Sequence, residues 1–319
     1  MPAVRQPRAA SLPAAQPMVR ALMPPLTILL SVVTALALIL TAAAITPSPL
    51  PREDAPPPLA TPPPAAVTTD AVSRLAHSEE IEIPPAPVAI ELARLTYRPG
   101  ASGPTWRLPG PLLLVVESGT LAATLERPGH LVRAHDTAER AAGALLLHPG
   151  DALAVSAATP AEFHSANTTP AVVLAVGVFP ADGAGTTGSV LTATMGRVWS
   201  PAAKVTLLAG TQVTTHMEPL TQLSLSRVLL APGARMPLAV TGTRLLAVEA
   251  GALTLKTERG LVTVEHPGDR DVSLSPSATA TLLTGDGAIL QHAASAALRN
   301  DGSGPLQFLV LTVDPDDAV

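Results

Sequence analysis

The chain contains one domain-sized unit twice, and this duplication limits the folds open to it more than any single motif does. IELARLTYRPGA (90–101) matches LSLSRVLLAPGA (223–234), and LLLVVESGTL (112–121) matches LLAVEAGAL (245–253). GDALAV (150–155) sits where GDGAIL (285–290) sits, the Asn-containing turn at 167–170 parallels the one at 300–305, and VGVFP (176–180) parallels LTVDP (311–315). These blocks recur in one order. The interval from the Pro-Gly turn to the next Glu is 18 residues in the first copy (Pro99 to Glu117) and 17 in the second (Pro232 to Glu249). Two copies of one domain account for this better than chance does.

The repeated unit reads as β-structure. IELARLTY (90–97), LLLVVES (112–118), TLAATLE (120–126), ALLLHPGDALAV (144–155) and AVVLAVGVF (171–179) are apolar runs bounded by Pro-Gly, Gly-Asp and Asn-containing turns. No long helical period interrupts them, which predicts an all-β barrel or sandwich. The 319 residues include only three Phe, two Trp and one Tyr, so Ala, Val and Leu must build the core. The absence of cysteine removes thiolate catalysis, disulfides and Cys-type zinc sites together. A net charge of −5, with no basic block beyond the N-terminus, leaves nucleic-acid binding without an electrostatic footprint. Neither a Gly-rich phosphate loop nor a nucleophile elbow is present.

The N-terminal quarter has a different texture. Arg5, Arg8 and Arg20 precede LTILLSVVTALALILTAAAI (26–45), an uncharged run that would span roughly 30 Å as a helix, the thickness of a bilayer core. The arginines lie on its N-terminal side, so the positive-inside rule puts residues 1–21 in the cytoplasm, a transmembrane helix at 22–45 and everything after it outside the cell. Secretion after cleavage near Ala44 is the open alternative, since Ala42-Ala43-Ala44 has the small residues of a signal-peptidase site. Residues 46–85 are dense in proline, which removes backbone donors and fixes φ, and are expected to form an extended, disordered stalk. One barrel is expected at 86–182, a linker at 183–203 and a second barrel at 204–319. The Gly, Ala, Pro and Arg bias fits a bacterial, GC-rich source.

These glycines and turns carry a family resemblance. Each copy resembles a cupin domain, and the chain resembles a bicupin over about 90–180 and 205–315. The first family motif sets two His and a Glu between two glycines. Here Gly100 and Gly119 frame Trp106, Leu108 and Leu112, and Gly233 and Gly251 frame Ala239, Thr241 and Arg244. The second motif carries the last His. In copy two it runs Gly285, Gln291, Ala293, Ala296, Asn300, with Ala296 at the His position. In copy one the frame from Gly150 to Asn167 is two residues longer and offers Phe163 or His164. The resemblance implies two small antiparallel jelly-roll barrels that pack together. It also implies a metal held by three His and one Glu, but these ligands are replaced in both copies. Zinc or iron needs three or four N, O or S donors, so no metal or other cofactor is expected.

The candidate ligand pocket is therefore Trp106, Leu108, Leu112, His164 and Arg244. The first three line an apolar pocket or plug the barrel. His164 is a lone general base or a remnant ligand, or a hydrogen-bonded or half-exposed histidine at a strand end. Arg244 grips a carboxylate or phosphate, or is a surface arginine or one paired with Glu249 or Asp286. Glu117 and Glu249 are read as turn residues. His130, His135 and Asp136 fall in a polar stretch, RPGHLVRAHDTAERAAG (127–143), read as a solvated loop, and His148 and His266 read as turn residues before Pro-Gly. The expected function is a membrane-anchored binding or interaction module without catalysis, its partner a small molecule or a protein. A cupin enzyme with a remodelled site and a purely structural assembly protein remain open, as does homo-oligomerisation.

Overall fold

The structure is a computed structural model, and it describes residues 70–101, 103, 105–107, 109–134, 138–181, 203–213, 220–267 and 271–315. The expected cytoplasmic segment, transmembrane helix, most of the stalk and all but the last residue of the linker lie outside these residues. Ala65–Val319 forms one compact unit.

The described residues form twenty strands and no helix. The first copy comprises β1 (Ala71–Glu82), β2 (Val88–Tyr97), β3 (Trp106–Arg107), β4 (Leu112–Ser118), β5 (Leu121–Val132), β6 (Ala138–Leu147), β7 (Ala152–Val155), β8 (Pro160–Ser165) and β9 (Ala171–Pro180). The second comprises β10 (Ala203–Val213), β11 (Leu220–Leu230), β12 (Arg235–Ala239), β13 (Thr243–Ala250), β14 (Ala252–Arg259), β15 (Val262–Glu265), β16 (Val272–Leu274), β17 (Thr279–Leu283), β18 (Gly287–Leu290), β19 (Ser295–Asn300) and β20 (Leu306–Pro315). All strand pairs are antiparallel. Barrel 1 follows the order β10-β2-β9-β4-β7-β5-β8-β3, with β6 on β5. Barrel 2 consists of β1-β11-β20-β13-β18-β15-β16 facing β12-β19-β14-β17.

β2, β4, β7, β9, β13 and β18 read as nearly unbroken apolar runs because both of their faces are buried. Along β2, Ile90 and Leu92 face outward into a core between the barrels, while Ala93, Leu95 and Tyr97 face into barrel 1. Leu113 and Val115 of β4 likewise point between the barrels, and Leu112, Leu114 and Val116 point inside. In barrel 2, Leu245 and Ala247 meet them from outside, and Leu246 and Val248 fill the interior. The described residues thus form three cores, and the middle one joins two copies of the same sheet face. Each fully buried Leu, Val or Ile contributes about 1.5–3 kcal/mol.

Two stretches read as linker or loop are strands. Residues 71–82, assigned above to the stalk, form β1, and this strand crosses to barrel 2, pairing with β11 from Ala71↔Leu229 to Glu82↔Leu220. Its counterpart β10 opens the second copy but pairs with β2 of barrel 1, from Ala203↔Tyr97 to Val213↔Val88. Both carry a register shift at the same place, between Arg74 and Ala76 and between Leu207 and Ala209. The duplication therefore begins at β1, and each copy lends its first strand to the other barrel. Residues 127–143, read as a solvated loop, lie largely in the β5–β6 hairpin, where His130 pairs with Arg140 and also with Ala154 of β7. A register shift between Leu125 and Gly129 absorbs Pro128, which cannot donate to a ladder.

Candidate functional site

The two barrels read each other's register. In barrel 1, Ala161 of β8 stands opposite Leu125 of β5 and Trp106 of β3. In barrel 2, Ala296 of β19 stands opposite Thr257 of β14 and Leu238 of β12. Ala161 and Ala296 are therefore equivalent, and so are Leu125 and Thr257, and Trp106 and Leu238. A turn with a left-handed alanine precedes each strand, Ala158 at φ 54° and Ala293 at φ 63°. The two copies are thus equally long from Gly150 and Gly285 onward, and the longer frame read in copy one is corrected. The last ligand position there is Ala161, not Phe163 or His164.

His164 lies on the opposite face of β8 from Ala161 and Phe163, which are both in the interior core, and its buried Nδ1 has no hydrogen-bond partner. Ala239 moves too: it is exposed, and the buried Leu238 holds the place that matches Trp106. Thr241 is exposed and donates to Asp314 Oδ1 at 2.9 Å. Leu112 is packed in the barrel 1 core, 1% exposed. Leu108, His135 and Asp136 lie outside the described residues. Among the described residues no group of three His, Cys, Asp or Glu comes together in a way that could hold a metal ion.

Barrel 2 carries a polar side chain at two equivalent positions where barrel 1 carries leucine. Arg244 replaces Leu112, and Thr257 replaces Leu125. Alternation directs Arg244 inward with Leu246 and Val248, and Thr257 inward with Leu253 and Leu255. The two share one end of the barrel, because Arg244 and Val262 both pair with Leu290, and β15 begins just past the Gly260 turn that ends β14. Arg244 Nε is buried without a hydrogen-bond partner, and so is Oγ1 of the fully buried Thr257. Arg244 makes no ion pair with Glu249 or Asp286. Those carboxylates bind Arg94 and Arg227, and His266, respectively.

Glu117 and Glu249, read above as turn residues, instead belong to an ion-pair ring that joins the barrels. Arg94 grips Glu117 through Nε at 2.6 Å and Nη2 at 3.2 Å. Arg227 grips Glu249 through Nε at 2.7 Å and Nη2 at 3.0 Å. Each arginine also donates from Nη2 to the other barrel's glutamate. The ring is two-fold symmetric because Arg94 and Arg227, like Glu117 and Glu249, are equivalent in the repeat. All four lie on strand faces that continue the middle core. Gln307 Nε2 donates to Glu249 Oε2 at 2.8 Å. Burial alone would raise the Glu249 carboxyl, but hydrogen bonds from Arg227, Gln307 and Arg94 outweigh it and hold it below its usual range. The turn itself is explained by Gly119 and Gly251, at φ 75° and 91°. A Cβ on Gly119 would lie 2.3 Å from the Pro170 carbonyl oxygen.

The residues that motif reading missed are Arg94 and Arg227. Their signal was an arginine repeated at one place in two otherwise apolar strands.

No family model matches the sequence, and no curated protein matches it. Solved structures with some likeness include AerE from Microcystis aeruginosa, at 12% identity over 74% of this chain and 98% of that one, TM-score 0.41. A variant of the oxalate decarboxylase of Bacillus subtilis gives 12% identity, 75% and 77% coverage and TM-score 0.41. The vicilin of Solanum melongena gives 10%, 72% and 76%, and 0.43. Likeness this low assigns neither a family nor an activity.

Proposed function

We propose that the chain is a membrane-anchored, extracytoplasmic tandem cupin that binds a small carboxylate or similar oxyanion in the mouth of barrel 2, without catalysis. One observation carries this reading: barrel 2 buries two orphan polar groups, Arg244 Nε and Thr257 Oγ1, where barrel 1 buries two leucines. A buried donor without a partner costs about 1–3 kcal/mol. Barrel 1 demonstrates that the scaffold accepts Leu at both places, so the fold does not require the polar pair. A guanidinium N–H and a hydroxyl directed at one end of an apolar barrel suit an anionic oxygen. The same guanidinium opposes a cation there, and Leu112, Ala161, Leu238 and Ala296 supply no ligand atom. The anchor rests on the apolar run at 26–45 and the arginines before it.

The test uses residues 65–319, the compact unit that contains all three cores. Acetate is titrated against it by calorimetry at constant ionic strength, with Arg244→Leu as the control. The expected result is saturable binding that Arg244→Leu abolishes, while that variant is more stable than the wild type by about 1–3 kcal/mol. An unstable Arg244→Leu protein, or binding that survives it, contradicts the reading. Alkaline extraction of membranes tests the anchor: the full chain stays in the pellet if residues 22–45 span the bilayer and is released if they are cleaved.

A further inference from the structure

We infer a second ligand site, in the groove between the exchanged strand β1 and the outer face of barrel 1, which accepts an amphipathic carboxylate. The groove encloses about 920 Å³. Its floor is apolar, formed by Ala76, Leu113, Val115, Val132, Ala152 and Ala154. Its rim is basic: Arg74, Arg133, Arg227, His77 and His130 line it with a single carboxylate, Glu117. Glu117 is already neutralised by Arg94 and Arg227. Arg133 makes both of its bonds, to Leu146 O and Asp151 Oδ2, through Nη1, and Arg227 makes its bonds through Nε and Nη2. Each therefore keeps N–H groups for a ligand, and Arg74 has no ion pair among the described residues. An apolar floor with a few convergent polar groups is the usual build of a small-molecule site.

The duplication supplies a template for what the groove binds. Its counterpart lies between β10 and barrel 2, where Glu265 stands at the place of Val132, His266 at that of Arg133 and Gly210 at that of His77. The equivalence follows from register, since Glu265 pairs with Gly287 as Val132 pairs with Ala152. There the chain's own carboxylate reaches the exchanged strand: Glu265 Oε2 accepts a hydrogen bond from the Gly210 N–H at 3.2 Å. On the barrel 1 side that carboxylate is replaced by a valine, the space is open, and the neighbouring histidine is replaced by an arginine. A ligand carboxylate there occupies the place of the Glu265 carboxylate, and its apolar body lies over the buried floor against the part-exposed Leu75, Val132, Ala134 and Ala138. This site is separate from the mouth of barrel 2 and does not depend on it.

The test is calorimetric titration of residues 65–319 with octanoate, with octanol as the neutral analogue. Val132→Glu installs the counterpart's own carboxylate, and Ala138→Trp narrows the groove from an exposed lining position. Octanoate is expected to bind saturably at the groove and octanol far more weakly. Either variant should weaken that binding roughly tenfold or more, and the groove site should persist in Arg244→Leu, which removes only the barrel 2 site. No saturable octanoate binding, equal binding of octanol, or undiminished binding to both variants overturns the inference. If Arg244→Leu alone abolishes octanoate binding, the groove site falls and the barrel 2 site stands.

Discussion

Arg94 and Arg227 each hold two glutamates, one from either barrel, so a single substitution leaves charges unpaired on both sides. The four side chains are 10–30% exposed, which places the ring between surface and fully buried pairs. Arg94→Met is expected to destabilise the protein by about 2 kcal/mol, read from urea unfolding. A double-mutant cycle of Arg94→Met with Glu249→Gln should show coupling across the barrels of about 1 kcal/mol or more; additive losses would mean the ring does not act as a unit. Protonation separates two glutamates. Glu249 is held below its ordinary 4.5, so its contribution is complete above that value and is lost as pH falls through the lowered one. Glu265 behaves in the opposite sense. Burial chiefly, with Asp271 nearby and only partly offset by the Gly210 N–H, raises it from 4.5 to about 7. The folded state therefore favours its protonated form, and stability falls as pH rises from 4.5 through 7. Glu265→Gln should remove that loss and be more stable than the wild type at pH 8 by about 1–2 kcal/mol, allowing for partial solvent screening.

The exchanged strands show where sequence reading reached and where it stopped. β2, β4, β9 and their partners were legible because their apolar runs repeat between clear turns. β1 was not, because prolines on either side and the acidic 79–82 stretch give it the texture of a linker, and its partner β11 lies far away in sequence. The RLAHS and LLAGT segments (74–78 and 207–211) do repeat Leu-Ala at the shared register shift, a signal too short to notice without the ladders. The β5–β6 hairpin was hidden by Pro128 and the polar residues of its exposed face. The ligand frame slipped for another reason: spacing was matched to Asn167, whereas the ladder fixes register at Ala161. The left-handed alanines in the two turns carry a cost that glycine avoids. Ala293→Gly is expected to stabilise by about 0.5–1 kcal/mol, measured by urea unfolding. A destabilisation would mean the turn depends on its methyl group.

At the scale of the molecule, the middle core makes the barrels one cooperative body, since Ile90, Leu92 and Leu113 from one copy are buried with Leu223, Leu245 and Leu309 from the other. Residues 65–319 should unfold in a single transition by calorimetry, and removal of β1 by starting the chain at 83 should lower the stability of both barrels together. Two separated transitions would contradict the shared core. The duplication made the fold class legible, but not the differences between the copies. Arg244 and Thr257 became informative only when their places proved equivalent to Leu112 and Leu125, and the groove only when Val132 proved equivalent to Glu265. The measurement that bears most directly on a binding module built on cupin-like barrels is the metal content of residues 65–319, by elemental mass spectrometry after gentle purification. The account predicts far less than one iron, manganese or zinc per chain. A stoichiometric metal that survives dialysis would contradict it.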